Sequence, residues 1–583
     1  MINALSTFRD YLSKIHYHDE IYDALAEDDM SEVVMRALRI LRKDNFFHTP
    51  SFHYALKNHR KTKENSTSKR NEGNEAFRNG LHQRALALYN VALLLAPKGS
   101  KEMILAYSNR SALFHKLEAW TACHNDINRV FLMGCPSEIK EKLTKRQNDV
   151  LPHLGMEALV KETMCQCAEK FIDRNTMRCN TQIPCASSDI RIVTSAAMPK
   201  VVAATNIKVG AVLASERAYV SYAQQINAPF SCHFCQKKHL NLIPCDGCCY
   251  ALFCDEECKN KCMKEYHEYE CKIMGVFWEL DEITNLMIKA CLKLQKSCKS
   301  WDEFITASHN MGSGRIKSGS IPEIYDANNK YSVLSCKDDN TFIYGVLYNM
   351  SIVAATFLHS LEDQIPSFLP KGADKRQQAM RAMARIMMFI SVYQTPLHII
   401  QGQNNVRLPE SSYGIKNFGL YSFIAKLKKS CNPNSIIANN NNTLLLIAVR
   451  PIKSGEELTV PFLDGYYYDE TLDSHLRNLQ IFMYHGTVCG CGRCSSDSLM
   501  KNDGEQLSKF QKKFFSKLDF KAMESRLGQL EMITVYQTLL KALTILCDVP
   551  NSEEFIAVYK LWRKCVFYFE IMCSNNIILD KII

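Results

Sequence analysis

The chain is 583 residues long, 46% hydrophobic and 23% charged, with 71 Lys and Arg against 61 Asp and Glu for a formal net charge of +10. That profile excludes a mainly disordered chain, and at roughly 150 residues per domain the length leaves room for about four folded units. The basic excess is mild; it permits an acidic partner without predicting one, and no Lys- or Arg-dense element marks a nucleic-acid reader, so direct DNA binding is not expected.

The start, Met1-Ile2-Asn3-Ala4-Leu5-Ser6, lacks a basic segment followed by an apolar stretch, so no secretory signal is predicted. No apolar run is long enough for a spanning helix, and no membrane association is expected. The expectation is a soluble protein of the cytoplasm and nucleus, where thiols stay reduced. Its 25 cysteines then point to metal rather than to disulfides.

Residues 1–68 read as an N-terminal helical segment, with Val33, Val34, Ala37, Leu38 and Leu41 at helical spacing, closed by a polar linker over Lys61–Ser68. Residues 69–155 carry a helical-repeat signal. Asn71–Phe77, then Ala85, Tyr89, Ala92 and Pro97, set small and large residues where a tetratricopeptide hairpin needs them, and a second unit opens at Ala106. Arg70 and Asn74 lie one turn apart, Asn109 lies in the next unit, and Lys142 and Arg146 are again at i, i+4. This set resembles the carboxylate clamp with which chaperone-binding tetratricopeptide domains grip heat-shock chaperone C-termini. Arg70 departs from the usual Lys there, keeping the charge but not the geometry.

Residues 190–230 read as short strands, such as Lys200–Ala203, with a turn at Gly210. The first cysteine cluster fills 231–271: Cys232-x2-Cys235-x9-Cys245-x2-Cys248-x5-Cys254-x3-Cys258-x8-His267-x3-Cys271. Eight ligands suffice for two tetrahedral zinc sites, each closed and therefore structural. A segment this short cannot bury a sufficient core, so metal must supply its folding energy. Cys249 and Cys262 fall outside the pattern as spare thiols. The ligand order closely resembles a MYND finger. That resemblance implies interleaved sites, Cys232, Cys235, Cys254 and Cys258 in one, Cys245, Cys248, His267 and Cys271 in the other. It also implies partners presenting proline-containing peptides, corepressors among them.

Residues 272–400 read as a helical insertion. Over 401–465 strands return: Ser435–Ala438 and Thr443–Val449 flank Asn439–Asn442, a run suited to a hairpin turn. Residues 466–495 hold Cys489-x-Cys491-x2-Cys494, and 505–583 is helical again. The fold class is α+β. A finger between strand-rich segments, followed by Gly419-Leu420-Tyr421, Ser430–Asn434, Gly455–Leu458 and the last cysteines, resembles the SET- and MYND-domain (SMYD) family of protein-lysine methyltransferases, in its tetratricopeptide-bearing branch. The family supplies a fourth ligand to the last three cysteines from a position that is Cys431 here, which makes three zinc ions in all.

The resemblance also implies S-adenosyl-L-methionine as methyl donor and a histone or non-histone lysine as substrate. Here the family's donor-binding positions depart from its pattern. Its glycine turn is Met198-Pro199-Lys200, without glycine and with a proline that removes an amide. Its Asn-His pair is Lys428-Lys429, and the aromatic near the last cysteines is Thr487. Its catalytic Tyr is Phe462, which has no hydroxyl, and the second channel tyrosine is Tyr484, one residue out of register beside His485. Structural ligands are intact while chemistry-bearing ones are replaced. The expectation is a SET fold of weak or absent activity that works as a zinc-dependent protein-interaction adaptor. The alternative is an active methyltransferase with an altered donor site.

Overall fold

The computed structural model describes residues 19–25, 29–50, 52, 60–157, 177–194, 199–223, 225, 227–278, 280, 282–310, 344–393, 417–424, 427–440, 442–462, 474–485, 488–491, 494, 507–527, 531–549 and 552–573.

The N-terminal part holds α1 (Asp19–Leu25) and α2 (Met30–Lys43). Asp29 caps α2 by accepting the Ser31 amide at 2.9 Å, and Val33, Val34, Ala37, Leu38 and Leu41 are all buried, as their spacing predicts. Five helices follow: α3 (Lys63–Arg78), α4 (His82–Leu95), α5 (Lys101–Lys116), α6 (Trp120–Leu132) and α7 (Ser137–Val150). The expected linker over Lys61–Ser68 is instead the first two turns of α3. Thr62 caps it through the Asn65 amide (3.1 Å), and Ser66 is buried and donates to the Ala92 carbonyl (2.9 Å), so the polar run is a helix face rather than a break. Gly73 lets α3 approach α4 closely; a Cβ there would meet the Tyr89 ring at 2.7 Å.

The sheet region begins with β1 (Ile190–Thr194), β2 (Pro199–Ala203), β3 (Val212–Arg217) and β4 (Ser221–Ala223). A short hairpin, β5 (Ile243–Pro244) and β6 (Leu252–Phe253), leads into α8 (Glu256–Cys262), a π-helical turn over Met263–His267, and α9 (Glu268–Phe277). Then come α10 (Glu282–Ser297), α11 (Trp301–Asn310), α12 (Tyr344–Gln364) and α13 (Ala373–Tyr393). Strands resume with β7 (Asn417–Gly419), β8 (Lys428–Ser430), β9 (Ser435–Asn440), β10 (Thr443–Ala448) and β11 (Thr459–Pro461). The chain closes with α14 (Ser474–His485), α15 (Lys509–Phe515), α16 (Phe520–Ser525), α17 (Met532–Ile545) and α18 (Glu553–Cys573).

Strands before and after the helical insertion pair with each other: β3 joins β10 and β9 in one antiparallel sheet, and β4 pairs with β7; β8 and β11, both after the insertion, run parallel. The insertion therefore interrupts a single sheet region without dividing it. Asn439 and Asn440 belong to β9 itself, pairing with Leu444 and Thr443, so the turn is tighter than the four-residue run predicts. From Leu444 onward β10 is apolar because both its faces are covered. Leu444, Leu446 and Ala448 face the core under β2 and β3, while Leu445 and Ile447 face α17 and α18. Gly210, at φ +80°, turns the chain ahead of β3, and a Cβ there would meet Leu540 of α17 at 2.7 Å.

Helices α5 and α6 share a buried joint with the cysteine-rich segment. Arg110 of α5, fully buried, makes a bidentate pair with Asp126 (2.7 and 2.8 Å) and donates to the Leu242 carbonyl (2.9 Å); Asn241 donates to the same Asp126 (2.9 Å). At the other end, α2 docks on α12 and α13 through Asp29–Arg385 (3.1 Å), Glu32–Arg381 (2.7 Å) and a stack of Phe47 on His359 (3.6 Å).

Candidate functional site

The cysteine-rich segment folds so that residues far apart in sequence converge. Ligand atoms of Cys232, Cys235, Cys254 and Cys258 lie within 4.8 Å of one another, and so do those of Cys245, Cys248, His267 and Cys271. The turn between β5 and β6 carries Cys245 and Cys248, while α8, the π turn and α9 bring Cys258, His267 and Cys271 back to the two groups. Asp255 caps α8 by accepting the Cys258 amide (2.7 Å), which fixes Cys254 and Cys258 about the first turn. The π turn ends at His267, whose Nε2 lies 3.6 Å from Cys248 Sγ. Sulfur separations of 3.8 Å (Cys235–Cys254) and 3.7 Å (Cys245–Cys271) match the edge of about 3.8 Å that a Zn–S bond of about 2.3 Å gives a tetrahedron. Hydrogen bonds from neighbouring thiols, Cys232 for Cys235 and Cys248 for Cys245, hold these two sulfurs far below the ordinary thiol range. The same crowding pushes Cys248, Cys254, Cys258 and Cys271 up, and a bound dication would relieve it by drawing all four ligands of each group together. The residues fit zinc.

A third group joins Cys431, directly after β8, to Cys489, Cys491 and Cys494. The Cys431 amide donates to Cys489 Sγ (3.3 Å), and Asn478 of α14 accepts the Cys489 amide (2.9 Å). Of the two thiols expected to be spare, Cys262 is fully buried within ligand range of His233 and His267, while Cys249 joins none of these groups.

The expected donor and catalytic positions come together only in part. β2, β11 and β8 lie side by side: Val202 bridges Glu457, the Leu458 amide donates to the Val201 carbonyl (2.8 Å), and Thr459 pairs with Lys428. Continuing that register places Lys200 and Lys428 on either side of Thr459. Both lysines are exposed, Lys429 is half-buried, and Lys428 Nζ lies 3.1 Å from Glu457 Oε2. Phe462 packs against the third cysteine group beside Ile481. Met198 and Thr487 lie outside the described residues, and of Pro199, Tyr484 and His485 only the backbone is described.

The residues expected to form a clamp lie on alternate helices, Arg70 and Asn74 on α3, Asn109 on α5, and Lys142 and Arg146 on α7. Asn109 donates to Asn74 (2.7 Å), which also accepts the Tyr89 hydroxyl (3.0 Å). Arg146 donates to the Ser108 carbonyl (3.1 Å) and Ser111 Oγ (2.6 Å), and its burial pulls its pKa down. Lys142 is exposed, and the buried Nε of Arg70 has no partner among the described residues.

Three polar side chains to which the sequence pattern assigns no role organise this region. Glu216, fully enclosed, accepts the amides of Ser422, Phe423 and Ile424 (2.7–2.8 Å) and the Ser422 hydroxyl (3.0 Å), fixing the loop that leads into β8. Burial pushes its carboxyl above the ordinary value, against the pull of those donors. Asn434 clamps β11 through the Thr459 amide (2.8 Å) and the Glu457 carbonyl (2.8 Å). Glu270 accepts from His267 Nδ1 at 2.6 Å; its place three residues after one ligand and one before the next was the available signal.

A SET-domain family model matches residues 32–462. Among curated proteins, the chain is 23% identical over 510 residues to protein-lysine N-methyltransferase SMYD4 of Homo sapiens, covering 67% of this chain and 62% of that protein. It is 22% identical over 508 residues to the Pongo abelii counterpart, with the same coverage. Histone-lysine N-methyltransferase SMYD3 of Homo sapiens is 25% identical over 296 residues, 49% of this chain and 58% of that protein. The chain thus spans about three fifths of the length of these relatives.

Proposed function

This chain belongs to the SET-domain family, in its SET- and MYND-domain (SMYD) group, and from that premise we propose that it is a protein-interaction adaptor on a lysine-methyltransferase fold, with methyl transfer weak or absent. Three zinc ions hold its cysteine groups, closed by protein ligands and therefore structural. The repeat helices and the zinc finger present partner surfaces, the first for the C-terminal tails of heat-shock chaperones, the second for proline-containing peptides, and the protein works in cytoplasm and nucleus.

The observation that carries this reading is Lys428, beside β11 with its ammonium against Glu457. S-adenosylmethionine, when bound, brings a sulfonium whose methyl is already activated, so the protein's part is positioning and removal of the lysine proton. An ammonium at Lys428 repels a sulfonium and cannot replace the acceptor that an asparagine amide offers. Phe462 keeps a ring beside the last cysteine group but has no hydroxyl.

Calorimetric titration of the zinc-loaded protein with S-adenosylmethionine tests the proposal. Binding no tighter than high micromolar is expected. Low-micromolar binding together with methylation of a histone or other lysine peptide establishes the competing reading, an active enzyme with an altered donor site.

A further inference from the structure

Beneath the finger a single carboxylate gathers three basic side chains. Glu270 Oε2 lies 2.6 Å from His267 Nδ1 and 3.0 Å from His233 Nε2, and Oε1 lies 4.0 Å from Lys289 Nζ. Glu270 is 2% exposed, and His267 and Lys289 are fully buried. Lys289 comes from α10, outside the finger. It donates to the Ser221 carbonyl of β4 at 2.9 Å and lies over the Tyr222 and Tyr266 rings at 5.1 and 5.6 Å.

Buried charge of this kind is weak as stabilisation, since apolar replacements of similar volume are often neutral or better. The geometry has a more specific use. A histidine that ligates through one ring nitrogen needs the other held, and a carboxylate on that nitrogen fixes tautomer and orientation. We propose that Glu270 is a positioning residue for the second zinc site, turning His267 Nε2 toward Cys248, and that through Lys289 it ties occupancy of that site to β4. The proposal rests on the zinc reading above. β4 pairs with β7 as Ser221 with Gly419, and Gly419 leads directly into the loop fixed by Glu216, so the tie reaches the approach to Lys428.

The test uses the zinc-loaded full chain, with release of each ion to a chromogenic chelator, absorption after cobalt substitution, and amide exchange as readouts. Glu270→Gln should release one zinc about 10–100 times faster and shift part of the cobalt–thiolate absorption, with the other two ions unchanged. Exchange at residues 219–223 and 417–420 should rise with that release. Glu268→Gln, which removes the exposed partner of Lys296 (2.6 Å), should change none of these. Lys289→Met, which keeps the His267 bond, should leave zinc release alone and raise exchange at 219–223; if Glu270→Gln does not fold, it carries the test of the tie, and Glu270→Asp, whose shorter side chain draws the carboxylate back from His267 and should likewise speed release of one zinc, carries that of the positioning role. Wild-type release and cobalt spectra in Glu270→Gln overturn the positioning role, and unchanged exchange in Lys289→Met overturns the tie to β4. A folded chain without zinc overturns the zinc reading and this proposal together, whereas three ions with an indifferent Glu270 overturn only the proposal.

Discussion

At position 428 a lysine holds Glu457 at 3.1 Å where the family resemblance leads one to expect an asparagine, and its effect on donor binding is a matter of magnitude. A hydrogen bond to a charged group contributes about 1.5–3 kcal/mol. Losing one at Lys428 and one at the glycine-free segment before Val201, which is the start of β2 rather than the expected turn, amounts to roughly 3–6 kcal/mol, on the order of a hundredfold to ten-thousandfold in affinity. Lys428→Asn should therefore raise S-adenosylmethionine affinity at least tenfold by calorimetry (about one decade per 1.4 kcal/mol). Phe462→Tyr alone should leave affinity unchanged, because its hydroxyl acts on transfer and not on docking; methylation of a lysine peptide should emerge only in the double variant. An unaltered affinity in Lys428→Asn would remove this lysine from the explanation. Single residues also show what spacing can and cannot reveal. The cysteine ligands were legible because metal chemistry fixes their intervals along the chain. Glu216 was not, since its acceptors' partners, the amides of 422–424, lie over 200 positions away and meet it only after the insertion folds.

Among elements, α2 and α3 teach opposite lessons. The apolar stripe of α2 is a direct projection of its buried face, whereas α3 opens with Lys63-Glu64-Asn65-Ser66-Thr67-Ser68, a composition shared by linkers and solvated helix faces. Only the Thr62 cap and the burial of Ser66 distinguish them, and the second depends on α4. The docking of α2 also predicts a pH response. Burial, then the charge of Arg42, holds His359 down to about 4, with Glu362 and Asp363 opposing. Its neutral form is the one stacked on Phe47, so this stabilisation is complete above the ordinary value of 6.5 and is lost as pH falls from there to about 4. Asp29 adds a second, lower window. Burial raises its carboxyl, but the Arg385 hydrogen bond and the Ser31 donors hold it at about 2 against an ordinary 3.8, so its share is lost between those values. Proteolysis within 30–43 should accelerate in two steps on acidification, and His359→Phe should abolish the upper one; a single step in both proteins would discount the histidine. The proposed chaperone-tail surface on α3, α5 and α7 calls for a separate measurement. A chaperone-tail peptide should bind and its C-terminally amidated form should not, with Arg70→Ala and Lys142→Ala each weakening the acid form, more so at low salt. Equal binding of acid and amide peptides would exclude the clamp, in which Asn74 and Asn109 already bond to each other.

Across the whole molecule, metal is expected to set which parts stand or fall together. The core that contains Cys232, Cys245 and Cys248 continues without a break into α2, α10, α12 and α13, and helices α4 to α6 meet the same cysteine-rich segment through Asn241, Leu242 and Phe230. By contrast α17 and α18 pack on β9 and β10, in a core that holds no zinc ligand. If the twelve ligands bind as grouped, metal analysis returns three zinc ions per folded chain. Stripping them with a chelator should then expose amides of 231–271 first. Arg110 and Asp126 follow, because loss of the Leu242 and Asn241 contacts leaves a buried ion pair without two of its hydrogen-bonding neighbours, and a hydrogen bond to a charged group contributes about 1.5–3 kcal/mol. Protection in α5 and α6 should fall next, while β10, α17 and α18 keep theirs. Hydrogen exchange followed by mass spectrometry reads that order directly. Two ions per chain would dissolve the group of Cys431, Cys489, Cys491 and Cys494 and leave the finger as the only metal-dependent unit. Simultaneous loss of protection in α5 and α18 would mean that the sheet, shared by strands from both sides of the insertion, transmits the collapse, and that the zinc ions hold the entire chain rather than its N-terminal two thirds.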